Sequence, residues 1–438
     1  MRYVKYDMGA YNLHVIKTNQ FKTVNMRIMF KRKTKKEEIN FRNFLSAILL
    51  ETTKNYQTRR DIEIKCEDLY ALAVRSQSFI SGNYSIMSFD STFLNEKYTE
   101  KGMFKQVFEF VLQLILNPDV ENGKFNEKSF ESVKKSLENV LKSYDEIPDY
   151  YTEDKIFKLV GKGTPIELRD EGDLETLNEI TPANLYDYYL DFIKKDNIDI
   201  FIIGNVDDEY LKKLLRETLP INTLKKPTGT HYIEHDRIRS RARIICESSN
   251  YEQSRILIGC KLNNLTDFEK QYVMLFYNYI LGGSGDSKLF KTVREKNSLC
   301  YNISSRYVSI ANLLIIKAGI EAKDYKKTVS LIRKEIKNME KGNFDENDIE
   351  KAKLVLLNSF EELEDSPSGI ISMYMLHEYL NKDLVDKRVS QVNKVTKQMV
   401  IDVAKKVHID TIYFLEGGHD DKERTQWFRF NRLWRKAW

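Results

Sequence analysis

The sequence predicts an α+β fold made of two homologous halves, each an antiparallel-rich sheet packed by helices. Segments in which apolar and polar residues alternate, as in half-buried strands, are interspersed with segments of helical periodicity. Residues 125–148 align without a gap over residues 344–367, at a constant offset of 219. Seven of these 24 positions are identical, where chance would give roughly one or two. The excess indicates an internal duplication.

The first predicted half spans residues 1–222. Residues 23–32 alternate apolar with polar side chains, which is typical of a strand with one buried face. Gly82-Asn83 predicts a tight turn between two paired strands within residues 77–92. The other predicted strands are 13–17 and 198–203, and the predicted helices are 41–52, 62–73, 105–116, 127–143, 181–192 and 207–217.

The second predicted half spans residues 239–416 and follows a linker, residues 223–238, that contains Pro227 and Gly229. Its predicted strands are 243–246, 254–261, 301–307, 313–320 and 411–415. Its predicted helices are 268–281, 325–339, 346–363, 370–380 and 396–407.

A basic aromatic tail, residues 417–438, holds all three tryptophans of the chain. Helical spacing would gather most of its large apolar side chains on one face, opposite its cations. They are Trp427, Phe430, Leu433, Trp434 and Trp438. Such a segment suits docking in a groove of this chain or of a partner, or on an anionic membrane. The alternative is an appended sequence or a disordered end.

Composition and charge exclude several classes of function. The net charge is only +5, from 70 basic and 65 acidic residues, which argues against general nucleic-acid binding. The four cysteines form no C-x-x-C pair, which favours a reducing compartment. No apolar run reaches the roughly 18 residues that would span a bilayer. We therefore expect a cytoplasmic protein without a transmembrane segment.

A glycine-rich segment, residues 281–301, carries the most informative motif. Gly282, Gly283 and Gly285 follow an apolar helix, and glycine tolerates both φ > 0 and close backbone approach. The G-x-x-x-x-G-K-[ST] pattern of a phosphate-binding loop is absent. Arg294 and Tyr301 lie seven positions apart at the end of a helix and the start of a strand. The segment therefore predicts that a guanidinium and a phenol lie together at the opening of one site.

This segment resembles the C-terminal domain of the pitrilysin/insulinase metallopeptidases. The family pattern is a Gly-rich loop, then S-x-L-F, then R-E-x-x-x-L-x-Y, and all three parts are present here. The resemblance covers about residues 13–415 and implies two halves that face each other as a clamshell. It implies that Arg294 and Tyr301 hold the substrate backbone and the developing oxyanion. It also implies substrate contacts for Gly282, Gly283 and Gly285.

The family's zinc motif, H-x-x-E-H on an early helix, is degenerate in this chain. Two histidines one turn apart would bind zinc, and the glutamate would activate water. The apolar frame of that helix matches residues 43–56, but Asn43 and Ala47 stand at the histidine positions and Ser46 at the glutamate position. The resemblance therefore implies that no zinc is bound here.

The third zinc ligand of the family is a glutamate on a later helix. The preferred alignment places it at Val140, with Val133 at the family's neighbouring acidic position. A shift of two residues would place these positions at Glu138 and Glu131 instead. Neither alignment restores a metal site, because one carboxylate binds zinc poorly.

His231-Tyr232-Ile233-Glu234-His235 spells H-x-x-E-H literally. One interpretation is a relocated zinc site. The favoured interpretation is a chance match in the linker, because the surrounding residues have no amphipathic helical pattern.

Three hypotheses about function follow. The first is a non-catalytic subunit of a heterodimeric zinc peptidase, which supplies Arg294 and Tyr301 in trans to a homologous partner that carries the zinc and processes peptides. Within the family, the bacterial YmfF-like and AlbE-like chains resemble this arrangement. The second is a peptide-binding or scaffold protein with no catalytic part. The third is an active zinc peptidase that uses His231, Glu234 and His235.

Overall fold

The computed structural model describes residues 1–219, 231–235 and 237–418. Most of the predicted linker and nearly all of the predicted tail lie outside these residues. The docking role of the tail therefore stays a prediction.

The strands of the described residues are given in chain order. They are β1 (Arg2–Asp7), β2 (Tyr11–Lys17), β3 (Thr23–Lys33), β4 (Ala73–Ser81), β5 (Tyr84–Leu94), β6 (Val120–Glu121), β7 (Lys124–Phe125), β8 (Asn197–Gly204), β9 (Arg243–Ser248), β10 (Ser254–Leu262), β11 (Cys300–Val308), β12 (Leu313–Ile320) and β13 (Val407–Glu416).

The helices of the same residues are also given in chain order. They are α1 (Ile39–Ile48), α2 (Arg59–Asp68), α3 (Met103–Leu116), α4 (Glu127–Glu146), α5 (Pro148–Val160), α6 (Leu174–Glu179), α7 (Pro182–Lys195), α8 (Asp208–Thr218), α9 (Met274–Asn278), α10 (Tyr325–Glu340), α11 (Glu346–Glu364), α12 (Pro367–Leu380), α13 (Val385–Val392) and α14 (Lys397–Ala404). The π-helical segments are Glu269–Val273, Tyr279–Gly283 and Phe290–Glu295.

Two compact units divide the chain, and each is assembled from separate segments. Unit 1 comprises Met1–Tyr144, Leu168–His231 and Leu363–Asn381. Its six-stranded sheet has the order β1-β2-β8-β3-β5-β4, in which only the β2–β8 pair is parallel. One buried apolar cluster joins the sheet to α1, α3 and α7.

Unit 2 comprises Asp145–Glu167, Tyr232–Glu362 and the chain from Lys382 on. Its five-stranded sheet has the order β11-β12-β10-β13-β9, in which only the β9–β13 pair is parallel. Strand β11 is therefore an edge strand. Both sheets are mainly antiparallel and carry helices, so the α+β prediction is confirmed.

The internal duplication is visible in two matching helix pairs. Helices α4 and α11 begin at Glu127 and Glu346, which are equivalent positions of the alignment. Each is followed by a helix that begins at a proline, Pro148 in α5 and Pro367 in α12. Proline suits this first helical position because its missing N–H has no partner there in any case.

The second helix of each pair belongs to the unit built mainly from the other half of the chain. Helix α5 packs in unit 2, where Ile156 and Val160 are buried against its sheet. Gly259 of β10 makes room for it, because a Cβ there would lie 2.4 Å from Val160. Helix α12 joins unit 1, where the Tyr379 hydroxyl donates to Asp199 of β8 at 2.7 Å.

Several predicted elements differ from the structure. The helix predicted over residues 62–73 ends at Asp68, because Tyr70 and Ala71 adopt left-handed φ angles of 59° and 57° and Ala73 begins β4. The helix predicted over residues 396–407 ends at Ala404, and Val407 begins β13. Strand β1 and helices α5 and α13 were absent from the prediction. The predicted boundaries of the two halves stay a prediction.

Candidate functional site

The residues at the positions of the family's zinc motif, Asn43, Ser46 and Ala47, lie on α1 in unit 1. The two polar ones form hydrogen bonds to backbone carbonyls. Asn43 Nδ2 donates to the carbonyl oxygen of Asp170 at 2.6 Å. Ser46 is buried, and its hydroxyl donates to the carbonyl of Asn43 at 2.8 Å. Ala47 packs against the apolar core. An amide, a hydroxyl and a methyl group do not form a zinc site, so these positions do not fit the metal that the family resemblance implies.

Val140, the preferred third position, lies on α4 with 42% of its surface exposed. In the shifted alignment Glu138 pairs with Lys142 at 3.6 Å on the same helix. Within the described residues, no three His, Cys, Asp or Glu side chains are grouped so that they could hold a metal ion.

A loop over residues 168–173 is held against the degenerate motif. The Ile80 N–H, on edge strand β4, donates to Asp170 Oδ1 at 2.7 Å. Gly172 has φ +82°, and a Cβ there would lie 2.2 Å from the Asn40 side chain, so glycine is required on both counts. Desolvation raises the pKa of the Asp170 carboxyl to about 6, although the Ile80 hydrogen bond opposes the rise.

Sequence reasoning missed Asp170. The Asp170-Glu171-Gly172 turn is a recognisable signal, but its contacts with Asn43 and Ile80 join residues far apart in the chain.

The glycine-rich turn lies in unit 2 and serves close packing. A Cβ on Gly282 would lie 2.8 Å from Ser305 Oγ and 2.9 Å from the Ser305 nitrogen. A Cβ on Gly283 would lie 2.8 Å from Asn278 Nδ2, whereas a Cβ on Gly285 would have no neighbouring atom within 4 Å. None of the three has a left-handed φ. Of the two reasons for which glycine is tolerated in a turn, close approach therefore applies to Gly282 and Gly283, and positive φ applies to none of the three.

Arg294 is exposed near the end of the π-helical segment Phe290–Glu295. Its guanidinium carbon lies 4.6 Å from the centre of the Phe290 ring, a distance at which a cation is attracted to an aromatic face. The chain then reverses at Ser298, which has φ +51° and donates its N–H to the Arg294 carbonyl at 2.9 Å. This turn fixes the path from Arg294 to strand β11.

Tyr301 is 85% exposed at the start of β11. The register against β12 passes from Cys300–Ile320 to Asn302–Gly319, so Tyr301 is the extra residue of a β-bulge. Bulges commonly redirect a side chain next to functional sites. Burial raises the pKa of the neighbouring Cys300 thiol, and the positive charge of Arg294 opposes that rise. The turn at Ser298 connects the segment that carries Arg294 to the strand that carries Tyr301. That the two side chains act together stays a prediction.

A cavity of about 250 Å³ lies behind the glycine turn, and neither Arg294 nor Tyr301 lines it. Its charges are largely paired, with Asp286 2.6 Å from Lys351 and Lys288 3.8 Å from Glu335. Its internal pairing gives it no net attraction for a charged ligand.

Comparison with known proteins identifies the domain. Residues 179–356 match a family model described as the peptidase M16 inactive domain. This segment of the chain is similar to the M16 inactive domain. The "Probable inactive metalloprotease YmfF" of Bacillus subtilis (strain 168) is 26% identical over 418 residues, which cover 94% of this chain and 97% of that protein. The predicted family resemblance is confirmed.

Two further comparisons extend this result. The "Uncharacterized zinc protease YmxG" of the same organism is 22% identical, over 65% of this chain and 69% of that protein. A solved structure described as a conserved protein from Enterococcus faecalis V583 superposes with a TM-score of 0.91 at 24% identity, over 96% of this chain and 100% of that chain. The second comparison shows the fold. The chain is thus similar to a probable inactive metalloprotease and to an uncharacterized zinc protease.

The residues of the literal H-x-x-E-H string, His231 to His235, contact different parts of the structure. His231 belongs to unit 1, where its ring stacks between Tyr84 and Tyr379 at 4.2 and 4.6 Å. Burial lowers its pKa to about 4. His235 belongs to unit 2 and contacts the Ala311 carbonyl through Nε2 at 2.6 Å. Glu234 pairs with Lys270 at 2.6 Å.

No helix within the described ranges is both long and apolar enough to cross a membrane. The four cysteines, Cys66, Cys246, Cys260 and Cys300, are unpaired. Burial raises the pKa of each thiol, so they are poor nucleophiles at neutral pH. A thiol-based hydrolytic mechanism has no support in this arrangement.

Proposed function

We propose that this chain is the non-catalytic subunit of a two-chain zinc peptidase that processes peptides. It would supply Arg294 and Tyr301 in trans to a peptide bound at the zinc of a homologous partner. The observation that carries the proposal is Tyr301, a phenol held 85% exposed at a β-bulge, seven residues after an exposed Arg294. A bulge redirects the side chain that it carries, and bulges are over-represented next to active sites.

The chemistry of these two groups fits an acyl-transfer transition state. Both a phenol and a guanidinium donate hydrogen bonds. Hydrolysis of a peptide bond passes through a tetrahedral oxyanion, which fixed donors stabilise. Gly282 would let the turn pack closely against Ser305 of β11, so that the strand holds Tyr301 in place, and Gly283 would let it pack against Asn278. The proposed substrate contacts of Gly282, Gly283 and Gly285 depend on peptide reaching this turn.

The partner is proposed on sequence grounds. One organism, Bacillus subtilis (strain 168), contains both an inactive relative and zinc-protease relatives of this chain. Division of labour between two such chains would explain why Asn43, Ser46 and Ala47 could replace the metal motif here. The zinc would belong to the partner. We place the pair in the cytoplasm, where unpaired cysteines stay reduced.

The test is turnover by the purified pair of this chain and a zinc-bearing homologue, measured with quenched-fluorescent peptides. Loss of one oxyanion donor costs about 10²–10³ in turnover, so Arg294→Ala and Tyr301→Phe should each lower kcat by up to that factor. Arg59→Ala and Tyr98→Phe are matched controls, because both residues are exposed, 68% for the Arg59 side chain and 47% for Tyr98, and both lie in unit 1.

Assembly is measured in parallel by analytical ultracentrifugation, so that a lost partner is not mistaken for lost chemistry. Wild-type turnover by both Arg294→Ala and Tyr301→Phe pairs would contradict the proposal and favour the peptide-binding or scaffold alternative.

A further inference from the structure

A cleft of about 200 Å³ lies beside Tyr301, entirely within unit 2. This volume suits one amino-acid side chain or one chain terminus. Strands β10, β11 and β12 form its floor, and the first turn of α5 forms its roof. The residues that line it are Asp149, Thr152, Glu153, Gln253, Arg255, Leu257, Tyr301, Asn302, Lys317, Ala318 and Gly319.

Backbone geometry keeps the floor of the cleft open. Gly319 of β12 pairs with Asn302 of β11 and with Arg255 of β10. A Cβ on Gly319 would lie 2.7 Å from Gln253 Oε1, so a larger residue would displace that amide. The bulge at Tyr301 lies at the same end of β11. The cleft and the exposed phenol are thus parts of one surface.

One cation that lines the cleft has no ion-pair partner among the described residues. Asp149 accepts from Arg255 Nε at 3.2 Å, and Glu153 pairs with Arg306 of β11. Arg255 also donates from Nη1 to the Gln253 carbonyl at 3.3 Å. Lys317 is exposed, and within the described part of the chain it makes no ion pair. The four lining charges sum to zero, but Glu153 is neutralised from outside the cleft by Arg306, so that Lys317 is left as a cation without an ion pair among the described residues.

Further groups of the cleft can donate hydrogen bonds to an anionic ligand. Gln253 and Asn302 carry amide N–H donors, and Arg255 is only 17% exposed at its side chain. A partly desolvated guanidinium and an ammonium group bind carboxylates through charge-assisted hydrogen bonds, which are about twice as strong as neutral ones.

We infer that this cleft binds a carboxylate of the peptide that lies across Tyr301, through Lys317 and Arg255. The carboxylate is either an acidic side chain or the free C-terminus of the peptide, since both present the same two oxygens. This inference rests on the proposed peptide-binding function and adds a preference for an acidic group beside Tyr301. Asp149 would release Arg255 in part when the ligand binds.

The experiment uses the full chain without its partner and four acetylated pentapeptide probes. The first has alanines flanking a central Glu and an amidated C-terminus, and the second replaces that Glu with Gln. The third is pentaalanine with a free C-terminus, and the fourth is its amide. Binding is followed by methyl NMR at Leu257 and Ala318, which line the cleft.

We expect the carboxylate peptides to bind about tenfold more tightly than their amide counterparts, as one charge-assisted hydrogen bond would give. Comparison of the first probe with the third distinguishes an acidic side chain from a C-terminus. Lys317→Gln should abolish most of the preference, and Arg255→Gln should weaken it further. Lys323→Gln is the matched control, because Lys323 is 76% exposed and does not line the cleft.

Equal affinity of all four peptides, or an equal effect of Lys317→Gln and Lys323→Gln, would overturn the inference. Failure of the proposed function has a different signature. In that case Tyr301→Phe leaves turnover of the pair unchanged, while the chain alone still prefers carboxylates at Leu257 and Ala318. The reverse pattern, lost turnover without carboxylate preference, rejects the cleft and leaves the proposed function standing.

Discussion

Among the glycines of the glycine-rich turn, Gly282 is the one whose replacement by alanine should lower the stability of the protein most. In Gly282→Ala the new Cβ would lie within 3 Å of Leu289 Cδ1, Ser305 Oγ and the Ser305 nitrogen. Real Cβ atoms do not tolerate such distances to backbone, so the turn or strand β11 must shift. Ser305 is buried, donates to Asn278 Oδ1 at 2.9 Å and pairs with Ile316 of β12, which leaves it little freedom to move.

The expected penalty follows from overpacking of a well-filled interior, which costs about 1–3 kcal/mol. For a unit of about 150–250 residues, each kcal/mol lowers Tm by about 2–4 °C. Gly282→Ala should therefore lower the Tm of unit 2 by about 2–12 °C. Gly285→Ala is the matched control, because no atom lies within 4 Å of its added Cβ and its φ is not left-handed. Its Tm should be unchanged or slightly raised, since alanine reduces the entropy of the unfolded chain.

Differential scanning calorimetry gives the Tm values, and hydrogen exchange of β11 amides locates the change. Faster exchange around Ser305 in Gly282→Ala, but not in Gly285→Ala, would show that the strand carrying Tyr301 has loosened. If both variants have the same Tm and the same exchange pattern, the close-packing explanation of these glycines is refuted.

Three further predictions concern unit 1 and the metal. Asp196→Ala should lower the free energy of unfolding by about 3–5 kcal/mol, because it leaves the fully buried Arg42, 2.8 Å away, without its carboxylate; chemical denaturation measures this, and a loss below 1 kcal/mol contradicts it. The contribution of His231 to stability should fall by about 3 kcal/mol as pH drops from 6.5 to about 4, because the unfolded His231 takes up a proton that the buried ring resists; the difference between the pH profiles of wild type and His231→Phe measures it, and identical profiles would argue against it. The purified chain should contain no stoichiometric zinc by mass spectrometry, a prediction that one equivalent lost on His231→Ala would reject.

Local periodicity predicted much of the fold. Strand β3 and helix α3 have strong patterns in which every second residue, or one helical face, is apolar, and both were placed within two residues of their observed ends. The duplicated helix pair was predicted from identities alone, and α4 and α11 begin where the alignment puts them. These features depend on residues near one another in the chain.

Helix α5 was missed because Pro148 marks the end of α4 as clearly as it marks the beginning of a new helix. Its buried stripe, Thr152, Ile156 and Val160, is narrow, and its remaining residues are polar or aromatic. No local pattern shows that such a helix joins a sheet made by another part of the chain.

The candidate site was predicted in its residue types but not in its geometry. The sequence motif identified Arg294 and Tyr301, whereas the bulge that exposes Tyr301 depends on how β11 pairs with β12. The contact between Asn43 and Asp170 spans 127 positions. Both depend on tertiary structure, as does the cleft beside Tyr301.

Helix α5 belongs to unit 2 and helix α12 to unit 1, so each unit contains one helix from the opposite half of the chain. This arrangement sets the order in which the units can be completed during synthesis. The sheet of unit 1 is complete once β8 has emerged from the ribosome, but residues 363–381 are made much later. Until then Asp199, Lys31 and His14 lack the helix that carries Tyr379. A nascent chain would therefore expose the charged surface of unit 1 that α12 covers in the complete protein. A chaperone could bind this surface during synthesis. A chain that ended after the first half would never cover it.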